Sequence, residues 1–157
     1  MMERTTDLVA AASTPIILAL LAEADSYGFH IIKRVREASG GRVAWTGAVS
    51  DERRVALYAD CLGVVFTPWD EDYGYVSLEA MLSSKAVVTC ADSGGPLEFV
   101  EDRVNGIVCE PSPAALAEAL DLLWERRNLA REYGQAGRQR YRDMDIGWEK
   151  TLACLLG

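Results

Sequence analysis

The stretch Phe66–Leu82, FTPWDEDYGYVSLEAML, combines the end of an apolar strand, a loop and the start of a helix with two carboxylates. Glu71 and Glu79 stand eight positions apart in this stretch. Gly74 lies between them and suits a tight turn because it has no Cβ. The apolar spacing predicts a helix over Val76–Leu82. We therefore expect Glu71 in the loop and Glu79 in the first turn of the helix.

Two interpretations of this acid pair are open. A carboxylate near a helix N-terminus is stabilised by unpaired N–H groups and by the helix dipole. Glu79 can therefore stay ionised while it accepts hydrogen bonds from hydroxyl groups, which suits a ligand site. The alternative is that both acids only begin a helix on a solvated face. The spacing alone does not favour one interpretation over the other.

Composition predicts a globular chain of a single domain. Its 157 residues are half hydrophobic, which is enough to bury a core. The chain has 24 acidic residues against 16 basic residues, so its net charge is −8. A broad surface for phosphate contacts is therefore disfavoured, and we expect no nucleic-acid partner.

The cysteines and the apolar runs indicate the cellular compartment of the protein. Cys61, Cys90, Cys109 and Cys154 form no C-x-x-C pair and no cluster with histidine, so we expect reduced, buried thiols and no metal site. No apolar run reaches the roughly 18 residues that a membrane-spanning helix needs. The N-terminus also lacks the pattern of a signal peptide. A cytoplasmic location is the resulting expectation.

Short apolar runs alternate with helical patterns along the chain. The predicted strands are Ile16–Leu21, Arg42–Trp45, Leu62–Thr67, Ala86–Cys90 and Ile107–Cys109. The predicted helices are Glu3–Ala12, Tyr27–Ala38, 51–60, Val76–Leu82, Leu97–Val100, Ala114–Trp124, Asn128–Tyr141 and Trp148–Leu156. This alternation predicts a parallel sheet with helices on both faces, a three-layer Rossmann-like α/β domain. The loops Thr46–Ser50, Pro68–Tyr75 and Asp92–Pro96 would then meet in one crevice at the carboxyl ends of the strands.

Six motifs lie in order along the chain. They are Arg42–Val49 (RVAWTGAV), Leu57–Asp60 (LYAD), Glu71–Met81 with its two acids, Ser93–Glu98 (SGGPLE), Asn105–Gly106 and Asp145–Trp148 (DIGW). Together they resemble the carboxy-terminal, donor-binding half of GT-B glycosyltransferases of the group 1, or family 4, type. The resemblance runs from about Thr5 to Leu156. It favours a ligand site over a solvated helix start for the acid pair.

The resemblance implies a role for each matching position. Glu79 matches the acid that binds the ribose hydroxyls of the nucleotide, and Glu71 matches the acid at the catalytic position, which contacts the transferred sugar. The backbone N–H groups at Gly74, Tyr75 and Val76 would face the donor sugar and its phosphate. The other donor-binding positions are Gly47 against the base, Ser77 at the distal phosphate, and Gly94, Gly95 and Glu98 at the cleft.

The resemblance also implies a chemistry. Sugar would move from a nucleotide diphosphate with retention of configuration, without a metal or cofactor, while protein charges and N–H groups stabilise the leaving pyrophosphate. The family's first strand ending in glycine, its Arg and Lys pair and its acceptor-binding domain are not recognised in this sequence. We therefore expect residues 1–157 to form one nucleotide-sugar-binding domain that is inactive alone. An amino-terminal domain, a partner chain or a second copy would complete it.

Two other classes of function stay open at this point. Residues 16–41 also resemble the opening of a PadR-type winged helix, in which a Tyr-Gly pair such as Tyr27-Gly28 starts a helix. The recognition helix and the wing do not follow, since Val43–Val49 continues in the glycosyltransferase pattern. A non-catalytic interaction domain is the third alternative, because the face toward the missing half would expose apolar surface.

Overall fold

The computed structural model describes residues 46–147, together with Ile17–Leu18, Ala44, Leu152, Ala153, Leu155 and Leu156. The helices predicted at Glu3–Ala12 and Tyr27–Ala38 lie outside the described residues. Of the strand predicted at Arg42–Trp45, only Ala44 is described, and it is not in a strand. The four described residues of the last predicted helix are helical and exposed.

Four short strands form the sheet in the part of the chain that the structure describes. They are β1 (Ile17–Leu18), β2 (Gly63–Val65), β3 (Ala86–Cys90) and β4 (Gly106–Cys109). The sheet order is β1-β2-β3-β4, and every neighbouring pair is parallel. β2 is shorter than predicted. Gly106, predicted to lie in a turn, instead begins β4, where it pairs with Val87.

Five helices follow or connect these strands within residues 46–147. They are α1 (Asp51–Asp60), α2 (Tyr75–Leu82), α3 (Pro96–Phe99), α4 (Pro113–Glu125) and α5 (Arg127–Asp143). Ser50 caps α1, since its hydroxyl accepts a hydrogen bond from the Arg53 N–H at 3.3 Å. Ser112 caps α4 in the same way, and Pro113 is the first helical residue. A capping hydroxyl, and a proline at the first helical position, are the usual signals of a helix N-terminus.

The start of α2 corrects one expectation about the acid pair. Gly74 precedes the helix in the left-handed conformation, with φ of +79°, and its carbonyl accepts the Ser77 N–H at 2.9 Å. The helix therefore begins at Tyr75, earlier than Val76. Glu79 is its fifth residue and lies in the second turn. The expected position in the first turn was wrong, because the turn at Gly74 ends the loop one residue early.

Two apolar clusters cover the two faces of the sheet. Alternate strand residues point to opposite faces, and accordingly Val64 and Val87 belong to one cluster while Val65 and Val88 belong to the other. The first cluster also contains Cys61, Leu78, Ala80, Met81, Phe99 and Val100. The second also contains Ala86, Ile107, Ala119, Leu123, Ala130 and Tyr133. The predicted three-layer α/β arrangement is confirmed.

Gly74→Ala tests how tightly the loop before α2 packs. A Cβ at Gly74 would lie 2.7 Å from Cγ of Pro96, whereas a Cβ at Gly47 would meet nothing within 4 Å. Both glycines have positive φ, +79° and +61°, so alanine at either position carries a similar backbone strain. We expect Gly74→Ala to lower the free energy of unfolding by about 1–3 kcal/mol more than Gly47→Ala, as overpacking does.

Urea denaturation of the two variants and of the unmodified chain measures this difference. Equal losses for Gly74→Ala and Gly47→Ala would show that Pro96 moves aside without strain.

Candidate functional site

Two loops lie side by side at the carboxyl ends of β2 and β3. The Asp70 N–H donates to the Asp92 carbonyl at 2.9 Å, and the Glu71 N–H donates to the Ser93 carbonyl at 3.1 Å. The Gly95 N–H donates back to the Glu71 carbonyl at 2.6 Å. These bonds continue the parallel pairing of the sheet into the loops. The sequence predicted that Pro68–Tyr75 and Asp92–Pro96 would meet, and they do.

Gly94 and Gly95 allow this close approach. A Cβ at Gly94 would lie 2.6 Å from the Glu71 carbonyl oxygen, and a Cβ at Gly95 would lie 2.6 Å from that of Asp72. Gly94 also has φ of +72°. Glycine is therefore required at both positions for packing, whatever binds there. Their contact with a donor stays a prediction.

The third predicted loop, Thr46–Ser50, is not hydrogen-bonded to the other two loops in the described structure. Thr46–Ser50 is exposed throughout. Gly47, predicted to lie against the base, has open space where a Cβ would stand. Among the hydrogen bonds of residues 46–147, none joins this loop to the other two. The loop leads into α1, and α1 contacts Glu79 of the site.

The loop and helix start between the two acids offer both exposed and buried groups. Glu71 is exposed, although its backbone is fixed by the bridge to Gly94. The first N–H groups of a helix have no partner within it, so those of Tyr75 and Val76 can serve a ligand. Ser77 is wholly buried, and its hydroxyl has no hydrogen-bond partner in the described structure. An unpaired buried hydroxyl is unusual, and the predicted contact of Ser77 with phosphate stays a prediction.

Glu79 is held by two side chains from α1. Its Oε1 accepts a hydrogen bond from Arg54 Nη1 at 3.0 Å, and its Oε2 accepts one from the Tyr58 hydroxyl at 3.0 Å. Burial, together with the neighbouring Glu79 carboxylate, raises the pKa of Tyr58 well above its ordinary value. Tyr58 therefore remains a hydrogen-bond donor at any physiological pH. The Glu79 side chain is still 37% exposed, so a ligand can reach it.

Arg54 and Tyr58 were not predicted as site residues. The sequence carries two signals. Tyr58 belongs to the Leu57–Asp60 motif, and, with Ser50 as the cap of α1, residues four positions apart lie on one face of that helix. Nothing in the local pattern indicates that this face contacts α2, because Glu79 follows Tyr58 by 21 positions. The contact depends on how β2 places the two helices side by side.

Glu98 and the aromatic residues form the outer part of the site. Glu98 is exposed on α3, and its backbone carbonyl accepts a hydrogen bond from Arg140 of α5 at 2.8 Å. Trp69 and Tyr73 flank the acidic residues 70–72 of the first loop. The Tyr73 ring packs edge-on against Phe99, at 5.1 Å between ring centroids. Trp69 is 80% exposed and is not packed in the core.

Two cysteines lie next to each other below these loops. Cys90 and Cys109 are register partners in β3 and β4, and their Sγ atoms are 4.0 Å apart as free thiols. Cys61 and Cys90 are buried, as predicted, while Cys109 is half-buried. Cys154 lies outside the described residues. Among the residues that are described, no group of three or more His, Cys, Asp or Glu is placed to hold a metal ion.

Cys90 gives the chain an alkaline pH dependence. Burial, with Cys109 nearby, raises the pKa of the Cys90 thiol from its usual 9.0 to about 12. The folded state thus favours the neutral thiol, so this contribution to stability is complete below pH 9 and is lost as the pH rises from about 9 toward 12. We expect the free energy of unfolding to fall there by at most about 1.4 kcal/mol per pH unit for this group.

Chemical denaturation between pH 8 and pH 11 tests this expectation. Cys90→Ser should show a shallower decline than the unmodified chain. Cys109→Ser is the matched control and should keep most of the decline, because burial is the main cause of the shift. An identical decline in the chain and in Cys90→Ser would contradict the assignment.

None of the helices in the described part of the chain is long and apolar enough to span a bilayer.

Comparison with known sequences identifies the family. The profile described as "Glycosyl transferases group 1" matches residues 31–140. The match includes the two hydrogen-bonded loops Pro68–Tyr75 and Asp92–Pro96, with Glu71. It also includes Glu79 and the α1 residues that hold Glu79. Because it covers more than half of the chain, the chain belongs to the group 1 glycosyltransferases. The resemblance seen in the sequence motifs is confirmed.

Two curated relatives show the extent of the likeness. Human alpha-1,3/1,6-mannosyltransferase ALG2 is 35% identical over 112 residues, which are 71% of this chain and 27% of that protein. O-antigen chain mannosyltransferase C of Escherichia coli is 30% identical over 117 residues, which are 72% of this chain and 32% of that protein. The chain thus spans about a third or less of the length of these relatives.

Solved structures agree on the fold. TarM of S. aureus matches with a TM-score of 0.72 and 26% identity, over 84% of this chain and 26% of that one. HepE of Anabaena, solved in complex with UDP-glucose, matches with a TM-score of 0.66 and 27% identity, over 98% of this chain and 45% of that one. These neighbours are GT-B glycosyltransferases. The PadR-type interpretation of residues 16–41 gains no support, since the family match already includes residues 31–41.

Proposed function

We propose that this chain is the donor-binding domain of a retaining, metal-independent glycosyltransferase. It would hold a nucleotide diphosphate sugar while another domain or chain supplies the acceptor. In the reaction, the bond from the anomeric carbon to the phosphate oxygen breaks, and a bond to an acceptor hydroxyl oxygen forms on the same face. The nucleoside diphosphate leaves and takes up the proton of that hydroxyl. The main support is that the family match contains both Glu71 and Glu79, at a loop and helix built at the carboxyl edge of the sheet.

Each part of the site supports a step in this proposal. The exposed part of Glu79 would accept hydrogen bonds from ribose hydroxyls. The N–H groups of Tyr75 and Val76 at the start of α2 would bind the pyrophosphate and stabilise the charge that develops as it leaves. Exposed Glu71, fixed by its bridge to Gly94, would orient the donor sugar. No step requires a metal or a cofactor.

The names of two relatives support a hexose-type donor sugar as part of this proposal. Both are named mannosyltransferases, so mannose is the first sugar to test. The Anabaena neighbour was solved with UDP-glucose, which supports a nucleotide diphosphate sugar as the ligand class. A cytoplasmic location is part of the proposal, since the neighbouring Cys90 and Cys109 thiols suit a reducing compartment.

Calorimetric titration of the 157-residue chain tests the binding half of the proposal. We expect one of UDP, GDP and ADP to bind measurably more tightly than the other two. If none of the three releases or absorbs heat on binding, a non-catalytic interaction domain becomes the better account. A radiolabelled-sugar assay should detect no transfer by the chain alone, and detected transfer would show that the chain is catalytically complete.

Substitutions of Glu79 and of Glu71 should have different effects on nucleotide binding. Glu79→Gln should weaken nucleotide binding by about 1.5–3 kcal/mol, the usual contribution of a hydrogen bond to a charged group. Glu71→Gln should leave the binding of the free nucleotide nearly unchanged and should reduce the preference for one sugar nucleotide over another. Calorimetry with the nucleotide and with two of its sugar derivatives measures both. The reverse pattern would show that the two roles are exchanged.

A further inference from the structure

The face of α1 that contacts Glu79 suggests a further role for two residues. Arg54 and Tyr58 are one helical turn apart, and each donates to a different oxygen of the same carboxylate, both at 3.0 Å. Arg54 is fixed in turn by Asp51, whose Oδ1 lies 3.0 Å from Nη2. The Tyr58 ring packs against the apolar cluster that contains Leu78 and Met81 of α2. The Glu79 carboxylate is therefore held from two sides.

We propose that Tyr58 and Arg54 are positioning residues that orient the Glu79 carboxylate toward two adjacent ribose hydroxyls of the bound nucleotide. This inference rests on the proposed function. Neither residue was predicted as part of the site from the sequence, and neither needs to touch the nucleotide itself. We refer to the pair as the carboxylate clamp.

The hydrogen-bond capacity of Glu79 fits this role. An ionised carboxylate has about four lone-pair sites on its two oxygens. The clamp uses one site on each oxygen, so one remains on each. Two adjacent hydroxyls can then be bound in a bidentate manner without displacing either clamp residue. The Glu79 side chain is 37% exposed, so the clamp does not enclose it.

The clamp also reduces the conformational entropy that the Glu79 side chain loses when a ligand binds. A free glutamate side chain loses rotamer freedom when a ligand binds it, and a side chain already fixed by two donors loses less. Tyr58 should contribute more than Arg54, because the Arg54 side chain is 49% exposed and exposed ion pairs are weak. Tyr58 is partly buried, and its hydroxyl donates to a charged acceptor.

A cycle of variants and nucleotides tests the clamp. Binding of UDP and of GDP is compared with binding of their 2′,3′-dideoxy forms, in the unmodified chain and in Tyr58→Phe. Loss of both hydroxyls should weaken binding by about 10- to 100-fold in the unmodified chain. Tyr58→Phe should shrink this ratio by about 3- to 10-fold. A general loss of packing would weaken both nucleotide forms equally and would leave the ratio unchanged.

Matched variants separate positioning from packing. Tyr141→Phe is the control, because Tyr141 packs against the same apolar cluster from α5, and its ratio should equal that of the unmodified chain. Arg54→Gln should shrink the ratio less than about fivefold, and Arg54→Lys should restore part of it. A ratio that is the same in Tyr58→Phe and in the unmodified chain overturns the clamp while the proposed function stands. A ratio that shrinks equally in Tyr141→Phe overturns it as well.

One measurement tests the contact without any nucleotide. In protein labelled with ¹³C at the tyrosine ζ carbon, Glu79→Gln should shift the Tyr58 resonance at neutral pH, because the Tyr58 hydroxyl loses its charged acceptor. An unchanged Tyr58 resonance overturns the clamp. An unmodified chain that binds none of UDP, GDP and ADP overturns the proposed function together with this inference.

Discussion

The site depends on the short ladder of hydrogen bonds between the loops that follow β2 and β3. Parallel strands lie at a fixed spacing, and here the pairing does not stop at the strand ends but continues through Asp70 and Glu71. The first loop has few buried side chains to hold it in place, since Trp69–Asp72 are all exposed. Because the backbone of Glu71 is fixed in this ladder, the residues up to Gly74 lead into α2 at a defined point. The start of α2, and with it Glu79, is placed by that geometry.

The elements on either side of the ladder follow from the sequence by local rules. The strand Ala86–Cys90 and the helix after Ser112 have strong local sequence signals. Both were predicted with near-correct bounds. The position of Glu79 was less accessible. The propensity of Val76–Leu82 gives the helix but not its first residue, which depends on the left-handed turn at Gly74. A one-residue change in that boundary moves the acid from the first turn to the second.

Other features of the site cannot be predicted from the local sequence pattern. The contacts of Arg54 and Tyr58 with Glu79 join two helices through a tertiary packing that no periodicity describes. The burial of Ser77 depends on the cluster beneath α2 rather than on the motif around it. The Gly94-Gly95 pair was recognised as a site motif, but the steric reason for it became visible only when the opposing backbone of Glu71 and Asp72 was in place.

The bridged loops constrain how this domain can vary. Since Asp70 and Glu71 pair in register with Asp92 and Ser93, an insertion before Asp70 in one loop or before Asp92 in the other would shift both donors past their acceptors. Surface loops usually tolerate changes of length because their backbone groups can turn to water. Here the segments that lead from β2 to Asp70 and from β3 to Asp92 must keep matching lengths, so an insertion in one requires a compensating insertion in the other. For anyone recombining related domains, the two loops form a single exchangeable unit, although about twenty residues of chain separate them.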